Sequence, residues 1–108
     1  MPNPIRFSSY SLLLAYLLRE RGWQCEYCGS YEGPFDADHG IYPKAVYRQR
    51  IPELDQEIYN FIILGRTCCH ASKASGYRQW AWERNCARYG RDVMEDWRER
   101  VPLKIKSI

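Results

Sequence analysis

The stretch that most limits how this chain can fold runs from Asp38 to His70 and carries both of its histidines. It opens with the adjacent pair Asp38 and His39, and it closes with His70 directly after Cys68 and Cys69. Carboxylate, imidazole and thiolate groups are the usual protein ligands of divalent metals. A carboxylate beside an imidazole also suits metal-assisted hydrolysis with a histidine base. We therefore expect the two ends of this stretch to meet at one site.

Length and composition predict a single domain. At 108 residues the chain can bury a modest core, and its net charge of +3 permits a polyanionic partner without requiring one. No apolar run approaches the roughly 20 residues that a membrane span needs. The run from Leu12 to Leu18 ends at Arg19, and it lacks the basic flank and cleavage site of a signal peptide. We expect a cytoplasmic protein with no membrane partner.

The five cysteines are an odd number, which argues against a disulfide framework in a chain without signs of secretion. Cys25 and Cys28 have the Cys-x-x-Cys spacing of a zinc knuckle. Zinc takes four ligands, and Cys68 and Cys69 are the obvious completion, although adjacent residues chelate one ion awkwardly. Cys86 is a substitute if its helix folds back. The remaining alternative is that all five are reduced cysteines that only pack.

Apolar periodicity, caps and glycines predict an α+β fold with helices around two strands. The predicted elements are a helix over about residues 8–21 capped by Ser8 or Ser9, a strand from Phe35 to Ile41, a surface loop over 43–57, a strand from Tyr59 to Leu64, and helices from about Cys69, from Tyr77 to Tyr89 and from Arg91 to Arg100. Successive strand residues point to opposite faces, so Asp38 and His39 need a bulge or a strand end to share a site. Asp36 is expected to be solvated, with a supporting role beside the ligands as the alternative.

These residues together resemble the HNH endonuclease family, in particular its small phage-type members. The features that match, in order over about residues 23–73, are the Cys25 and Cys28 pair, Asp38 with His39, Asn60, and His70. The second cysteine pair departs from the family pattern, because one expected cysteine is absent at Gly65 or Arg66, depending on the alignment. The resemblance implies one domain over residues 1–108, with a ββα-metal core flanked by the N-terminal helix and by C-terminal helices over about residues 77–100.

The resemblance implies a metal-dependent endonuclease that nicks or cuts double-stranded DNA by hydrolysing phosphodiester bonds. His39 would be the general base, and Asn60 would pin the loop that presents it. Asp38 and His70 would bind one catalytic cation. Their mixed oxygen and nitrogen ligands suit Mg²⁺ or Mn²⁺ and would also accept Ni²⁺ or Zn²⁺. A structural Zn²⁺ at the cysteines would be separate.

Arg66, Lys73 and Arg78 lie in a stretch without acidic residues, and we expect them to contact backbone phosphates of DNA. Phage-type members often act beside DNA-packaging proteins, so the resemblance also implies a terminase-like partner in a bacterial or phage-infected cell. The main alternative is a catalytically inactive zinc-knuckle module that binds DNA or protein. An inactive copy is expected to lose a candidate active-site residue, and this chain keeps them all. A thiol redox protein ranks last because the βαβ setting is missing.

Overall fold

The computed structural model describes residues 5–44 and 56–100, and most of the predicted 43–57 loop lies outside them. The described residues form an α+β fold, which confirms the predicted class. Its elements, in chain order, are helix α1 (Tyr10–Arg21), strand β1 (Phe35–His39), a 3₁₀ turn (Ile58–Asn60), strand β2 (Phe61–Gly65), a π-helical turn (Arg66–His70), helix α2 (Tyr77–Tyr89) and helix α3 (Val93–Arg100).

Helix α1 begins and ends where the sequence predicts. The side chain of Ser9 accepts a hydrogen bond from the Leu12 amide at 3.3 Å, so Ser9 rather than Ser8 is the cap. The helix stops before Gly22, whose φ of 98° is a conformation that favours glycine. Its buried face includes Leu13 and Leu17, which pack in the core. Within residues 5–44 and 56–100, no helix has the length and apolar character needed to cross a membrane.

The sheet consists of β1 and β2, paired antiparallel with Phe35 opposite Gly65 and His39 opposite Phe61. All five residues of β2 are buried, which agrees with its run of apolar and β-branched side chains. The predicted start of this strand at Tyr59 is wrong, because residues 58–60 form a 3₁₀ turn in which the Phe61 amide bonds back to the Ile58 carbonyl.

The helix predicted from about Cys69 is also wrong. A π-helical turn over Arg66–His70 follows β2 directly, and residues 71–76 then form bends and turns. Helix α2 begins only at Tyr77, after Gly76 has taken a left-handed conformation with φ 84°. The turn carries Cys68, Cys69 and His70, of which only Cys69 is buried.

An ion cluster centred on Glu26 ties the cysteine knuckle to two helices and to the sheet. The Glu26 carboxylate accepts hydrogen bonds from Arg21 at 3.0 Å, from Arg84 at 2.7 Å, from Arg88, and from the Ile63 amide at 2.6 Å. Burial disfavours the charged form of Glu26, but Arg21 and Arg88 outweigh it and hold the pKa of the carboxyl below its usual value. The cluster therefore fixes the position of the knuckle against the core.

Candidate functional site

Four cysteines meet beside the end of β2. The sulfur atoms of Cys25, Cys28, Cys68 and Cys69 all lie within 4.8 Å of one another, and those of Cys28 and Cys68 are 3.5 Å apart. Tetrahedral zinc with sulfur ligands at about 2.3 Å places its sulfur atoms about 3.8 Å apart. The four thiols therefore fit a metal ion such as zinc. Cys86, the alternative ligand considered from the sequence, is not in this group.

Two local features let the adjacent cysteines reach the same point. The π-helical turn carries both Cys68 and Cys69, of which Cys69 is buried and Cys68 is exposed. Gly65 precedes this turn, and a Cβ atom there would lie 2.5 Å from the sulfur of Cys68, closer than real carbon contacts. A side chain at position 65 would therefore force the Cys68 sulfur to move. The absence of a cysteine at position 65 does not deprive the group of a fourth ligand.

The thiols differ in how readily they lose a proton. Burial acts to raise the pKa of the Cys25 thiol, but hydrogen bonds with the backbone at Cys28, Gly65 and Tyr27 outweigh it and lower the pKa to about 6. Burial raises the pKa of Cys69. The metal-free group therefore favours a thiolate at Cys25, and a bound metal would displace the protons of the other thiols.

A second set of candidate ligand residues lines a cleft beside β1. Asp38, His39 and His70 all border this cleft, whose volume is about 320 Å³. Nε2 of His70 lies 3.2 Å from Oδ1 of Asp38. Ligand atoms bound to one octahedral cation at about 2.1 Å lie about 3 Å apart, so this pair fits a shared divalent cation. Lys44 also borders the cleft and is its one basic residue besides the histidines among those described.

Asp38 and His39 reach the same cleft because His39 is the last residue of β1. β1 pairs residue by residue with β2, so it contains no bulge. Although neighbouring strand residues point to opposite faces, Asp38 and His39 share the cleft because His39 lies at the strand end. The ring of His39 packs on its cross-strand neighbour Phe61, with 4.6 Å between ring centres. Gly40 follows, and a Cβ atom there would come within 2.8 Å of the Ile62 side chain. The tight packing around position 40 therefore favours glycine.

Asn60 holds the segment that follows His39. Its fully buried side chain accepts hydrogen bonds from the amides of Ile41 at 3.1 Å and Tyr42 at 2.8 Å, and it donates to the Tyr42 carbonyl at 3.0 Å. The backbone amide of Gly40 donates to the Asn60 carbonyl at 2.7 Å. Asn60 therefore restrains the backbone directly beyond His39.

Asp38 is held from two sides. The hydroxyl of Tyr77 donates to Oδ2 at 2.8 Å, which leaves Oδ1 to face His70. Burial raises the pKa of Tyr77, and the Asp38 carboxylate raises it further, so the hydroxyl stays protonated as a donor. The ammonium group of Lys73 lies 3.4 Å from the same Oδ1. Oδ1 is therefore the oxygen of Asp38 that a cation would share with His70.

Asp36 is not the solvated strand residue that the sequence predicts. It is only 7% exposed, and its Oδ2 lies 2.8 Å from Nδ1 of His70. Arg66 binds the same carboxylate through Nε and Nη2 at 3.2 Å and 3.0 Å. The Arg66 hydrogen bond lowers the pKa of Asp36 despite the opposing effect of burial. The signal in the sequence was the spacing of Asp36 and Asp38, two positions apart on one strand face.

The three residues predicted to contact DNA all surround the candidate site. Arg66 binds Asp36, Lys73 donates to the His70 carbonyl at 2.8 Å, and Arg78 donates to the carbonyls of His39 and Gly40 at 2.9 Å and 3.0 Å. Each therefore has a partner within the chain. The Arg66 side chain remains 61% exposed.

The π-helical turn joins the two groups of candidate ligands, since Cys68 and Cys69 approach Cys25 and Cys28 while His70 at the end of the turn faces Asp36 and Asp38. One short element thus couples a group of four thiols to a carboxylate–imidazole pair in a cleft.

Comparison of the chain with protein-family models, with curated proteins and with solved structures gives no match.

Proposed function

We propose that this chain is a metal-dependent DNA endonuclease of the HNH type, with a ββα-metal core formed by the two strands and the helical segment after them. The observation that carries the proposal is the 3.2 Å approach of His70 Nε2 to Asp38 Oδ1 in a cleft that His39 also lines. The two ligand candidates come from positions 32 residues apart, so their approach is a product of the fold rather than of sequence proximity.

Asp38 and His70 would hold one divalent cation, Mg²⁺ or Mn²⁺ by preference, which when bound supplies a Lewis acid for the scissile phosphate and the leaving oxygen. His39 would take the proton from the attacking water, because neutral imidazole is a base at physiological pH. Asn60 would keep His39 aimed at the cleft by restraining the backbone after it. Tyr77 would orient Asp38 through its 2.8 Å hydrogen bond.

Double-stranded DNA is the proposed substrate, and the basic residues around the cleft support this choice. Lys44 borders the cleft, the Lys73 side chain is partly exposed beside Asp38, and the Arg66 side chain is largely exposed. Phosphate contacts by such residues position a protein on DNA without reading its sequence. A partner in DNA packaging, such as a terminase, would supply the target site.

The four cysteines are proposed to hold a structural zinc. Their position supports this role, because the Cys-x-x-Cys segment contains Glu26, whose ion cluster anchors the segment to the core. A metal there would lock the π-helical turn and, through it, the position of His70. Closed sites with four thiolates are typical of structural zinc, whereas the open Asp38 and His70 pair leaves room for water and phosphate.

A catalytically inactive nucleic-acid-binding or protein-binding module is the second candidate. The ammonium of Lys73, 3.4 Å from Asp38 Oδ1, favours it, because this positive charge neutralises the oxygen that a catalytic cation would use. Under this alternative the cysteine group would still bind zinc. The cleft would bind its partner without cleaving it.

The test is nicking of supercoiled plasmid DNA with Mg²⁺, Mn²⁺ or Ni²⁺ by the wild type and by His39→Ala. Loss of a general base is expected to slow nicking by at least about 100-fold. Tyr31→Ala is the control, since Tyr31 is 77% exposed and does not border the cleft, and it should nick at the wild-type rate. Equal nicking by His39→Ala would indicate a contaminant and refute the proposal. Metal-independent DNA binding with no nicking would favour the inactive module.

A further inference from the structure

The two ring contacts of His70 indicate how its orientation is fixed, a role that rests on the proposed cation site. We infer that Asp36 is a positioning residue for His70: it fixes the imidazole ring in one tautomer and one orientation, so that Nε2 faces Asp38 and the cleft. The resemblance assigns no role to Asp36, and the strand pattern alone predicts that it is solvated.

The two ring nitrogens of His70 face two different carboxylates. Nδ1 lies 2.8 Å from Asp36 Oδ2, and Nε2 lies 3.2 Å from Asp38 Oδ1. An ionised carboxylate only accepts hydrogen bonds, and a neutral imidazole carries a single proton, so only one of these two contacts can be a hydrogen bond. The shorter contact assigns that proton to Nδ1. That assignment leaves the lone pair of Nε2 for a cation. A histidine ligand whose other nitrogen donates to a carboxylate is held in orientation and is a stronger base toward the metal.

The alternation of side chains along β1 explains why two aspartates serve one histidine. Asp36 and Asp38 are separated by one residue in a regular strand, so both project from the same face toward His70. The two carboxylates differ in their other hydrogen-bond partners. Oδ1 of Asp38 is directed into the cleft because Tyr77 occupies Oδ2.

Arg66 keeps Asp36 from acting as a ligand itself. Its guanidinium donates to both oxygens of Asp36, at 3.2 Å and 3.0 Å, and Oδ2 also receives His70 Nδ1. Both carboxylate oxygens are therefore committed to contacts within the chain. The Arg66 backbone amide is itself fixed by a 2.9 Å hydrogen bond to the Pro34 carbonyl. Arg66 thereby becomes a support for the His70 partner as well as a candidate phosphate contact.

Substitution of Asp36 by asparagine is expected to remove the charge while keeping the shape of the side chain. The dissociation constant for Mn²⁺, measured by calorimetry without DNA, should rise about 10- to 100-fold, as it does when such supporting partners are lost. Arg66→Gln leaves the His70 contact in place and changes only an exposed side chain, so it should fold and should weaken Mn²⁺ binding less than Asp36→Asn does.

A spectroscopic measurement separates positioning from general destabilisation. Two-bond ¹H–¹⁵N correlation of the imidazole groups at about pH 9, above the usual histidine pKa, reports which nitrogen carries the proton. The wild type should show His70 as the Nδ1–H tautomer, assigned by its disappearance in His70→Gln, and Asp36→Asn should shift His70 toward Nε2–H. This readout from the wild type stands even if Asp36→Asn does not fold.

The outcomes distinguish this inference from the proposed nuclease activity. A wild-type His70 in the Nε2–H form, or Mn²⁺ binding by Asp36→Asn within twofold of wild type, would overturn the inference even if the wild type nicks DNA. If Asp36→Asn loses both the tautomer and the affinity while the wild type never nicks DNA, the inference stands and the proposed function fails. Absence of Mn²⁺ binding by the wild type would overturn the inference, whereas the nicking assay with Mg²⁺, Mn²⁺ or Ni²⁺ decides the proposed function separately.

Discussion

If the four clustered cysteines hold zinc as proposed, replacing Cys68 by serine is expected to abolish zinc binding, whereas replacing Cys86 by serine is not. Cys68 contributes one of the four clustered sulfur atoms, and Cys86 on α2 contributes none. Cys68 is also exposed, so its substitution leaves no cavity in the core. Without metal, Cys68→Ser should therefore match the wild type within about 0.5 kcal/mol, as surface substitutions usually do. Any larger difference measured with metal present comes from the metal.

The size of that difference follows from the binding of zinc to the folded state alone. At a metal concentration about 1,000 times the dissociation constant, binding stabilises the folded state by about 4.1 kcal/mol. For a domain near this size, each kcal/mol moves the melting temperature by about 4–8 °C. With zinc present, the wild type should therefore melt about 15–30 °C above Cys68→Ser.

The measurement is thermal unfolding by circular dichroism, with added zinc and with a chelator, together with metal analysis of each purified protein. The wild type and Cys86→Ser should each hold about one zinc and should fall to the melting temperature of Cys68→Ser when the chelator is added. Cys68→Ser should respond to neither. A wild type that takes up no zinc, or equal losses in Cys68→Ser and Cys86→Ser, would refute the reasoning.

Two further predictions concern the groups that hold the site in place. Glu26→Gln should cost about 3–5 kcal/mol at neutral pH, because it leaves buried guanidinium groups without their counter-charge. The folded state lowers the pKa of Glu26 below its ordinary 4.5, so its stabilising contribution is complete above pH 4.5 and is lost as the pH falls through the folded-state pKa. In urea unfolding, the difference in stability between wild type and Glu26→Gln should therefore shrink on acidification. A difference that stays constant with pH would contradict this prediction. Asn60→Ala should cost about 2–4 kcal/mol, because the amides of Ile41 and Tyr42 lose their acceptor. It should slow nicking while leaving Mn²⁺ affinity near wild type, and a loss of stability below about 0.5 kcal/mol would show that these hydrogen bonds are replaced.

The elements that could be predicted are those whose signals are local. The sequence predicts a cap at Ser8 or Ser9 and an end at Gly22 for α1, and the structure has the cap at Ser9 and the end before Gly22. Gly90 likewise ends α2, with φ 67°. A cap or a left-handed glycine acts within one turn, so its effect survives whatever packs around it. Local signals gave the wrong prediction after Gly65, where a helix was expected from about Cys69. Cys68 approaches the other cysteines from a π-helical turn, and no local residue predicts such a turn.

The candidate site shows the same division. The residue types, and the grouping of Asp38, His39 and His70, could be recognised from their order along the chain. The supporting contact of Asp36 could not, because it spans 34 positions and depends on which face of β1 the π-helical turn covers. A strand pattern says which residues share a face, but it does not say what will lie against that face.

The sequence by itself determined the kinds of candidate ligand, the presence of two strands and the ends of helices α1 and α2, because each of these depends on interactions between near neighbours. Only the tertiary structure decided that Cys28 and Cys68, 40 positions apart, come within 3.5 Å, and that His70 lies between two aspartates. The physical reason is that such meetings depend on the antiparallel pairing of β1 with β2 and on the direction of the turn that follows.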